Sequence, residues 1–330
     1  MIAAILTPST SVDLSPGDPA PAAGRGAGKP GDVPTVSVLM AVYNAAPFLA
    51  SALQSILEQT LKDFELIALN DGSTDNSAAI LEEFARRDPR VRVVSWPNHG
   101  ITATRVQLLA MARAPFLAIM DADDISLPFR LEKQVEYLQQ HPDCVAVGSR
   151  VLMIDTDGLP LRTWSLEETH EQIETAYLQR RGSAIVHPSV LMRTGAVRAA
   201  GGYDVRFQTC EDQDLFLRLA ERGRLANLPE THFLYRQHVD STCHTKVRQL
   251  WADSEAILKE AYARRGLGPI ADATPEHLDE APVEFHRRWA WWALREGNRA
   301  AARKHAMIGL KSRPFSPDSW KLALCALRGR

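Results

Sequence analysis

Four apolar runs separated by amphipathic stretches set the pattern of the first part of the chain. Val36 to Val42, Phe64 to Leu69, Val91 to Val94 and Phe116 to Met120 contain few polar positions, as in strands covered on both faces of a largely parallel sheet. After the first run, Leu49, Leu53, Ile56 and Leu57 share one face of a helix opened by Pro47, where proline is tolerated. The second run leads to a helix through Arg86, and the third to one from about Thr102 to Ala112. This alternation implies right-handed crossovers and a doubly wound sheet whose loops gather on one edge. Further on, the spacing predicts a helix from Pro128 to Gln140, a strand over Cys144 to Ile154 and a short helix over Glu171 to Leu178. It then predicts strands over Ala184 to Met192 and Asn227 to Tyr235. Between these strands, Gly201-Gly202 marks a turn, and Leu215, Phe216 and Leu219 line a helix ended by Gly223.

The polar residues at the strand ends carry the candidate chemistry. The run FLAIM stops at Asp121, Asp123 and Asp124, in the place where open α/β sheets bind ligands. Two of these carboxylates one residue apart can aim oxygens at one point, and their repulsion is relieved by a divalent cation such as Mg²⁺ or Mn²⁺ with phosphate oxygens as further ligands. Capping the next helix needs only one of the acids, and a solvated acidic loop is the other plain reading. A calcium-binding EF-hand loop begun at Asp121 fails, because Ile125 and Ser126 stand at the third ligand and the turn glycine and Pro128 breaks the pattern. The second strand ends in NDGSTD, where Ser73, Thr74 and Asp75 suit capping and Asp71 is left as the ligand candidate. Glu211, Asp212 and Asp214 open the helix after GGYD. Helix-start charge explains one of them comfortably and the adjacent pair less well.

Composition narrows the class. The 330 residues are 45% hydrophobic and 24% charged, with net charge −2, values of an ordinary globular protein with no nucleic-acid footprint. Cys144, Cys210, Cys243 and Cys325 are scattered without paired spacing, so a disulfide framework or zinc motif is not indicated and a reducing cytoplasm fits. No apolar run approaches a bilayer-spanning length. Residues 1–33, rich in Pro, Gly, Ala and Ser, are expected to form a flexible tail. GRGAGK within it lacks both the first glycine and the trailing Ser or Thr of a phosphate loop.

From residue 245 on, helical spacing returns, with Val247, Leu250, Trp251, Ser254, Ile257, Leu258 and Ala261 on one face. Gly297, Ala302 and Pro314 fall at the spacing of half a tetratricopeptide unit, which cannot bury its own face, so a helical hairpin packed on the main domain is expected. Trp289, Trp291 and Trp292 beside several arginines suit a membrane-surface face or, preferably, packing against core or partner. Peripheral association of these helices with the inner face of a membrane follows from the first alternative.

Taken together, VSVLMAVYN, NDGSTD, NHG followed by Arg105, MDADD, GGYD with CEDQDLFLRL, and YRQH resemble the family 2 glycosyltransferases over about residues 36 to 240. The resemblance implies the GT-A fold, an α/β doubly wound mixed sheet flanked by helices. Here it would occupy residues 34–244, followed by a helical C-terminal extension over 245–330. It further implies that Asp71 contacts the nucleotide base, Tyr43 stacks near it, Arg105 lines the nucleotide pocket, Asp121 meets the ribose and Asp123 the metal-bound diphosphate. His238 approaches the metal or diphosphate, and Asp212, with Glu211 beside it, is the base that deprotonates the acceptor. Asn70, Val106 and Ala41 depart from the family's common Asp, Asn, and Pro or Thr, which bears on the identity of the base, and Phe216 replaces a frequent Trp.

The implied activity is an inverting transfer of a sugar from a nucleotide diphosphate sugar, expected to be a UDP-sugar, to a hydroxyl of a saccharide or lipid-linked saccharide in surface polysaccharide or glycoconjugate synthesis. Mn²⁺ or Mg²⁺ is the implied cofactor. A nucleotidyltransferase of the same sheet would carry a Gly-rich basic loop where this chain has AVYNAAP. A non-catalytic nucleotide-sugar sensor would have no need of the Glu211-Asp212 pair.

Overall fold

The computed structural model describes residues 33–271, 273 and 282–329; the expected N-terminal tail, apart from Val33, lies outside them. Strands β1 (Val36–Val42), β2 (Phe64–Asp71), β3 (Val91–Trp96) and β4 (Phe116–Asp121) alternate with helices α1 (Ala46–Leu57), α2 (Ser77–Arg87) and α3 (Ile101–Met111). After β4 come β5 (Ile125–Ser126), α4 (Arg130–Gln140), β6 (Cys144–Ile154), β7 (Pro160–Trp164) and α5 (His170–Leu178). Next are β8 (Leu191–Arg193), α6 (Thr194–Ala199), α7 (Glu211–Ala220) and β9 (Arg224–Arg236). Helices α8 (Thr242–Thr245), α9 (Val247–Arg265), α10 (Pro282–Arg295), α11 (Arg299–Ser312) and α12 (Pro317–Arg328) complete the chain.

One mixed sheet runs β3-β2-β1-β4-β8-β6-β9-β5, with β7 paired to β6. The first four strands are parallel, while β8 runs antiparallel to both β4 and β6. Because side chains alternate across a strand, Val36, Val38, Met40 and Val42 pack under α1, α2 and α4, and Leu39 faces the opposite core of α3, α7 and α9. Each Leu or Ile buried in these layers contributes about 1.5–3 kcal/mol. The register aligns the strand ends: Ala41 pairs with Asp121, Val42 with Asn70, and Asp71 with Trp96. Tyr43, Asp71 and Asp121 therefore emerge on one edge, beside the point where the strand order reverses between β1 and β4.

Two expectations need correction. The strand over Ala184 to Met192 is realised only as β8, because His187–Ser189 form a single 3₁₀ turn around Pro188, which has no N–H to give a ladder. Strand β9 is longer than expected and slips register against β6 where Pro229 and Glu230 bulge out. The tryptophan face packs as core, the reading preferred above over a membrane-surface face: Trp289 is 2% exposed, and Trp291 and Trp292, partly buried, pack against its core, with the Arg162 guanidinium over Trp292.

The C-terminal helices split between two cores. Ile257, Leu258 and Ala261 of α9 pack into the layer that holds α7, whereas α10, α11 and α12 build a third core with Met153 and Leu161 of the β6–β7 hairpin. Asp155, at the turn of that hairpin, receives Lys304 Nζ at 2.7 Å and His305 Nε2 at 3.1 Å. Burial alone would raise its carboxyl, but these hydrogen bonds outweigh burial and hold it below the usual carboxylate range. His305 Nδ1 in turn lies 2.9 Å from His286 Nδ1.

Burial lowers both His286 and His244 to about 4. An unfolded histidine takes up its proton near pH 6.5. Between those values the unfolded state binds more protons, so stability falls as pH drops from about 6.5 towards 4. The thermal midpoint is expected to decline through that window, and His286→Phe to flatten the decline. A wild-type midpoint that stays level across it would contradict this account.

Candidate active site

Two loops at the strand ends are stitched together before any ligand arrives. Asn44 adopts a left-handed φ of 49°, which asparagine tolerates better than most residues. Its N–H donates to Ser73 Oγ at 3.0 Å, and its Oδ1 accepts from Thr74 N at 2.8 Å. Ser73 and Thr74 thus serve the β1 loop and not the helix after them. Asp75, just before the Asn76 N-cap, accepts from Ser77 N at the start of α2 and from Ala46 N at the start of α1. Gly72 has φ 70°, and a Cβ there would stand 2.7 Å from the Asn98 amide nitrogen, so the turn requires glycine. Tyr43, more than half exposed, stands free above this platform.

Asp71 is buried, with both carboxylate oxygens occupied. It accepts from Trp96 Nε1 at 2.8 Å, His99 N at 2.8 Å and Gly100 N at 3.0 Å. These bonds anchor the loop between β3 and α3, the loop that leads to Arg105. Arg105 spans two carboxylates, 3.3 Å from Asp121 Oδ1 and in direct ion pair with Glu211. A pocket beneath them is lined by Ala41, Arg105, Leu108, Met120, Asp121 and Tyr203.

The acid loop is held from the far strand. β5 pairs with β9, placing Ile125 opposite Leu234, so the end of β9 and the residues after it reach the acids. Arg236 donates its backbone N–H to Asp124 Oδ1 at 2.7 Å and its Nε to the Asp123 carbonyl at 2.6 Å. His238 Nε2 lies 2.9 Å from Asp123 Oδ2. Arg130, fully buried at the start of α4, donates to the Ile119 and Val190 carbonyls.

Asp121, Asp123 and Asp124 each offer an oxygen within 4.8 Å of the others. Burial raises the Asp121 carboxyl, with the Arg105 charge opposing it. Burial and the two neighbouring acids push Asp124 well above the carboxylate range. Asp124 Oδ2 is buried with no hydrogen-bond partner among the described residues, a costly state unless a cation or proton meets it. Clustered hard oxygen donors with one such orphaned atom fit a divalent cation held by Asp121, Asp123 and Asp124, with His238 at the edge. Asp124 was not singled out as a ligand from the sequence, although it is the third acid of MDADD. Tyr203, in GGYD, likewise lines the pocket, and nothing in its sequence position marks it.

The helix α7 separates its acids by task. Cys210 enters it in a left-handed conformation, φ 56°. Glu211, 4% exposed, is committed to Arg105, and Asp214 is committed to Arg218, which also fixes the GGYD turn through the Ala200 and Gly202 carbonyls. Asp212 is half-buried; burial raises its carboxyl, and Arg105 and the amide of Gln213 pull it down without cancelling the rise.

Residues 37–199 match the model of the family described as Glycosyl transferase family 2. The chain is 32% identical over 244 residues to "Putative glycosyltransferase EpsE" of Bacillus subtilis, covering 72% of this chain and 85% of that protein. Among solved structures, the S. aureus protein TarS 1–349 in complex with UDP-GlcNAc superposes with a TM-score of 0.53 at 15% identity, over 90% of this chain and 92% of that one. The mannosyltransferase PcManGT from Pyrobaculum calidifontis, in complex with GDP-Man and Mn²⁺, gives 0.50 at 18% identity, over 96% and 89%. At such identities the structures speak for the fold, which is GT-A. The sequence relationship carries the rest: this chain belongs to glycosyl transferase family 2 and is a glycosyltransferase.

Proposed function

We propose that the chain transfers a sugar from a UDP-sugar to an acceptor hydroxyl with inversion at the anomeric carbon, assisted by Mn²⁺ or Mg²⁺. The observation that carries this is the division of labour at the sheet edge. Three carboxylates with an orphaned oxygen sit at the end of β4, and Asp212 is the one acid of α7 not spent on an arginine. A divalent cation in that cluster would offset charge growing on the departing diphosphate. Asp212 takes the proton of the acceptor hydroxyl as its oxygen bonds to the anomeric carbon, while the nucleoside diphosphate leaves from the opposite side. A carboxyl raised by burial is closer to neutral pH, where proton transfer is better driven.

Tyr43 stacks on the base, above the loop that Asp71 anchors. Arg105, held between Asp121 and Glu211, turns its guanidinium towards the nucleotide pocket. The acceptor is a saccharide, free or lipid-linked, of a surface polysaccharide or glycoconjugate. The catalytic unit covers residues 34–244, with the later helices as its extension. No basic residue occupies Tyr43 to Ala46 at the end of β1, which speaks against nucleotidyl transfer.

A panel of UDP-, GDP- and dTDP-sugars, with Mn²⁺ or with chelator, tests the donor by thermal stabilisation. UDP-sugars are expected to raise the midpoint in the presence of metal and to do little under chelation. Stronger stabilisation by a GDP- or dTDP-sugar would reassign the base, and equal stabilisation under chelation would remove the metal from the reading.

A further inference from the structure

The outer face of the C-terminal helices is built unlike the rest of the surface. Trp320, Leu324 and Leu327 recur at one face of α12 and are 53%, 48% and 58% exposed. Ser319, Leu322, Ala323 and Ala326 turn inward. Phe315, just before α12, is 96% exposed, and Met307 of the neighbouring α11 is 40% exposed. This stripe is held in place: Trp320 Nε1 donates to the Pro314 carbonyl at 2.8 Å, and Arg303 donates to the last carbonyls of α12, Ala326 and Leu327. An ordered apolar stripe of this kind marks an interaction surface.

Its charge selects the occupant. From Arg299 to Gly329 the chain carries seven Arg or Lys and one acid, Asp318, within a protein of net charge −2; Lys304 is spent on Asp155 and Asp157 and Arg313 on Glu284, which leaves Arg299, Arg303, Lys311, Lys321 and Arg328. Lys321 and Arg328 flank the stripe on α12, and Lys311 stands at the end of α11. A second copy of the chain would bring two such basic faces together and repel. An anionic lipid surface meets both features, because apolar side chains enter the acyl boundary, tryptophan favours the headgroup level and lysines reach the phosphates. We infer that α12, with Phe315 and the end of α11, docks the protein on the surface of an anionic bilayer. No helix among the described residues is long and apolar enough to cross a membrane, so the contact is peripheral. The inference is independent of the donor and of the reaction.

The docked face is also mechanically joined to the active site. Lys304 and His305 of α11 bind Asp155, and the Asp155 carbonyl accepts from Arg236 at 3.0 Å, the residue that holds Asp123 and Asp124. A membrane-bound α11–α12 pair therefore fixes the orientation of the acid cluster relative to the bilayer.

Flotation of the full chain with phosphatidylcholine vesicles, and with vesicles also containing phosphatidylglycerol, tests this. The protein is expected to float with the anionic vesicles only, less so as salt rises. The combined variant Lys311→Glu, Lys321→Glu and Arg328→Glu is expected to lose binding roughly fivefold per charge. Trp320→Ser with Leu324→Ser and Leu327→Ser should lose roughly tenfold or more, since each buried apolar group counts. Because Lys311, Lys321 and Arg328 are exposed, the charge variant should keep the wild-type melting temperature, and both variants, remote from the sheet edge, should keep donor binding. Equal binding to neutral and anionic vesicles, no flotation, or unchanged flotation of either variant overturns the proposal. A wild-type dimer that Leu324→Ser dissociates would overturn it in favour of a second copy.

Discussion

Asp212→Asn is expected to lower sugar transfer by about 10²–10⁴-fold, the usual worth of a general base, while donor binding stays near the wild-type level. The substitution keeps the shape and the helix-start position and removes the charge, and with it the ability to take a proton. Burial has already raised this carboxyl. Transfer by the native chain should therefore fall as pH drops through a value above that of an ordinary aspartate, because only the ionised form accepts the proton. Glu211→Gln is the informative comparison. Glu211 pairs with Arg105, so its loss should free Arg105 and weaken donor binding, raising KM more than it lowers kcat. Steady-state kinetics on both variants, with donor affinity measured separately, decide the matter. An active Asp212→Asn enzyme would move the base elsewhere, and an inactive Glu211→Gln enzyme with normal donor affinity would exchange the two roles.

Asp123→Ala is expected to abolish metal dependence of donor binding. Its carboxylate lies within 4.8 Å of those of Asp121 and Asp124 and receives His238 at 2.9 Å. The loss in metal affinity should exceed the roughly 10–100-fold that removal of an outer partner costs, which is the range expected for His238→Ala if that histidine only orients Asp123. Calorimetric titration of UDP with and without Mn²⁺ measures this. Unchanged, still metal-dependent affinity in Asp123→Ala would show that the cation, if bound, is held elsewhere.

The loops between these groups were less legible than the groups themselves. Ser73, Thr74 and Asp75 have the residue types of helix caps, and sequence spacing assigns all three to α2. In the fold Ser73 and Thr74 turn to Asn44, 29 and 30 residues away, because the parallel pairing of β1 and β2 brings the two loops side by side. By residue type Asp71 is the acid without a capping task, and in the fold its oxygens anchor the next loop. A carboxylate's partners depend on which amides the neighbouring strand end presents, and that is a property of register.

The amino-acid sequence by itself determined the alternation of buried strands and amphipathic helices, since a continuous apolar run and a period of 3.6 are local properties. It also determined that acids stand at the ends of β2 and β4 and at the start of α7, and the order of its motifs determined the family. Tertiary structure alone decided how those acids divide their work. His238 meets Asp123 across 115 positions of chain, Arg105 claims Glu211 and leaves Asp212, and β9 closes over Asp124 until one oxygen has no partner. It also divided the C-terminal helices between two cores, burying Trp289 while leaving Trp320 outside. The reason is physical: local periodicity fixes which face of an element is apolar. Which element covers that face, and which charge is then left in the gap, is set by strand order and layer packing between residues far apart in the chain.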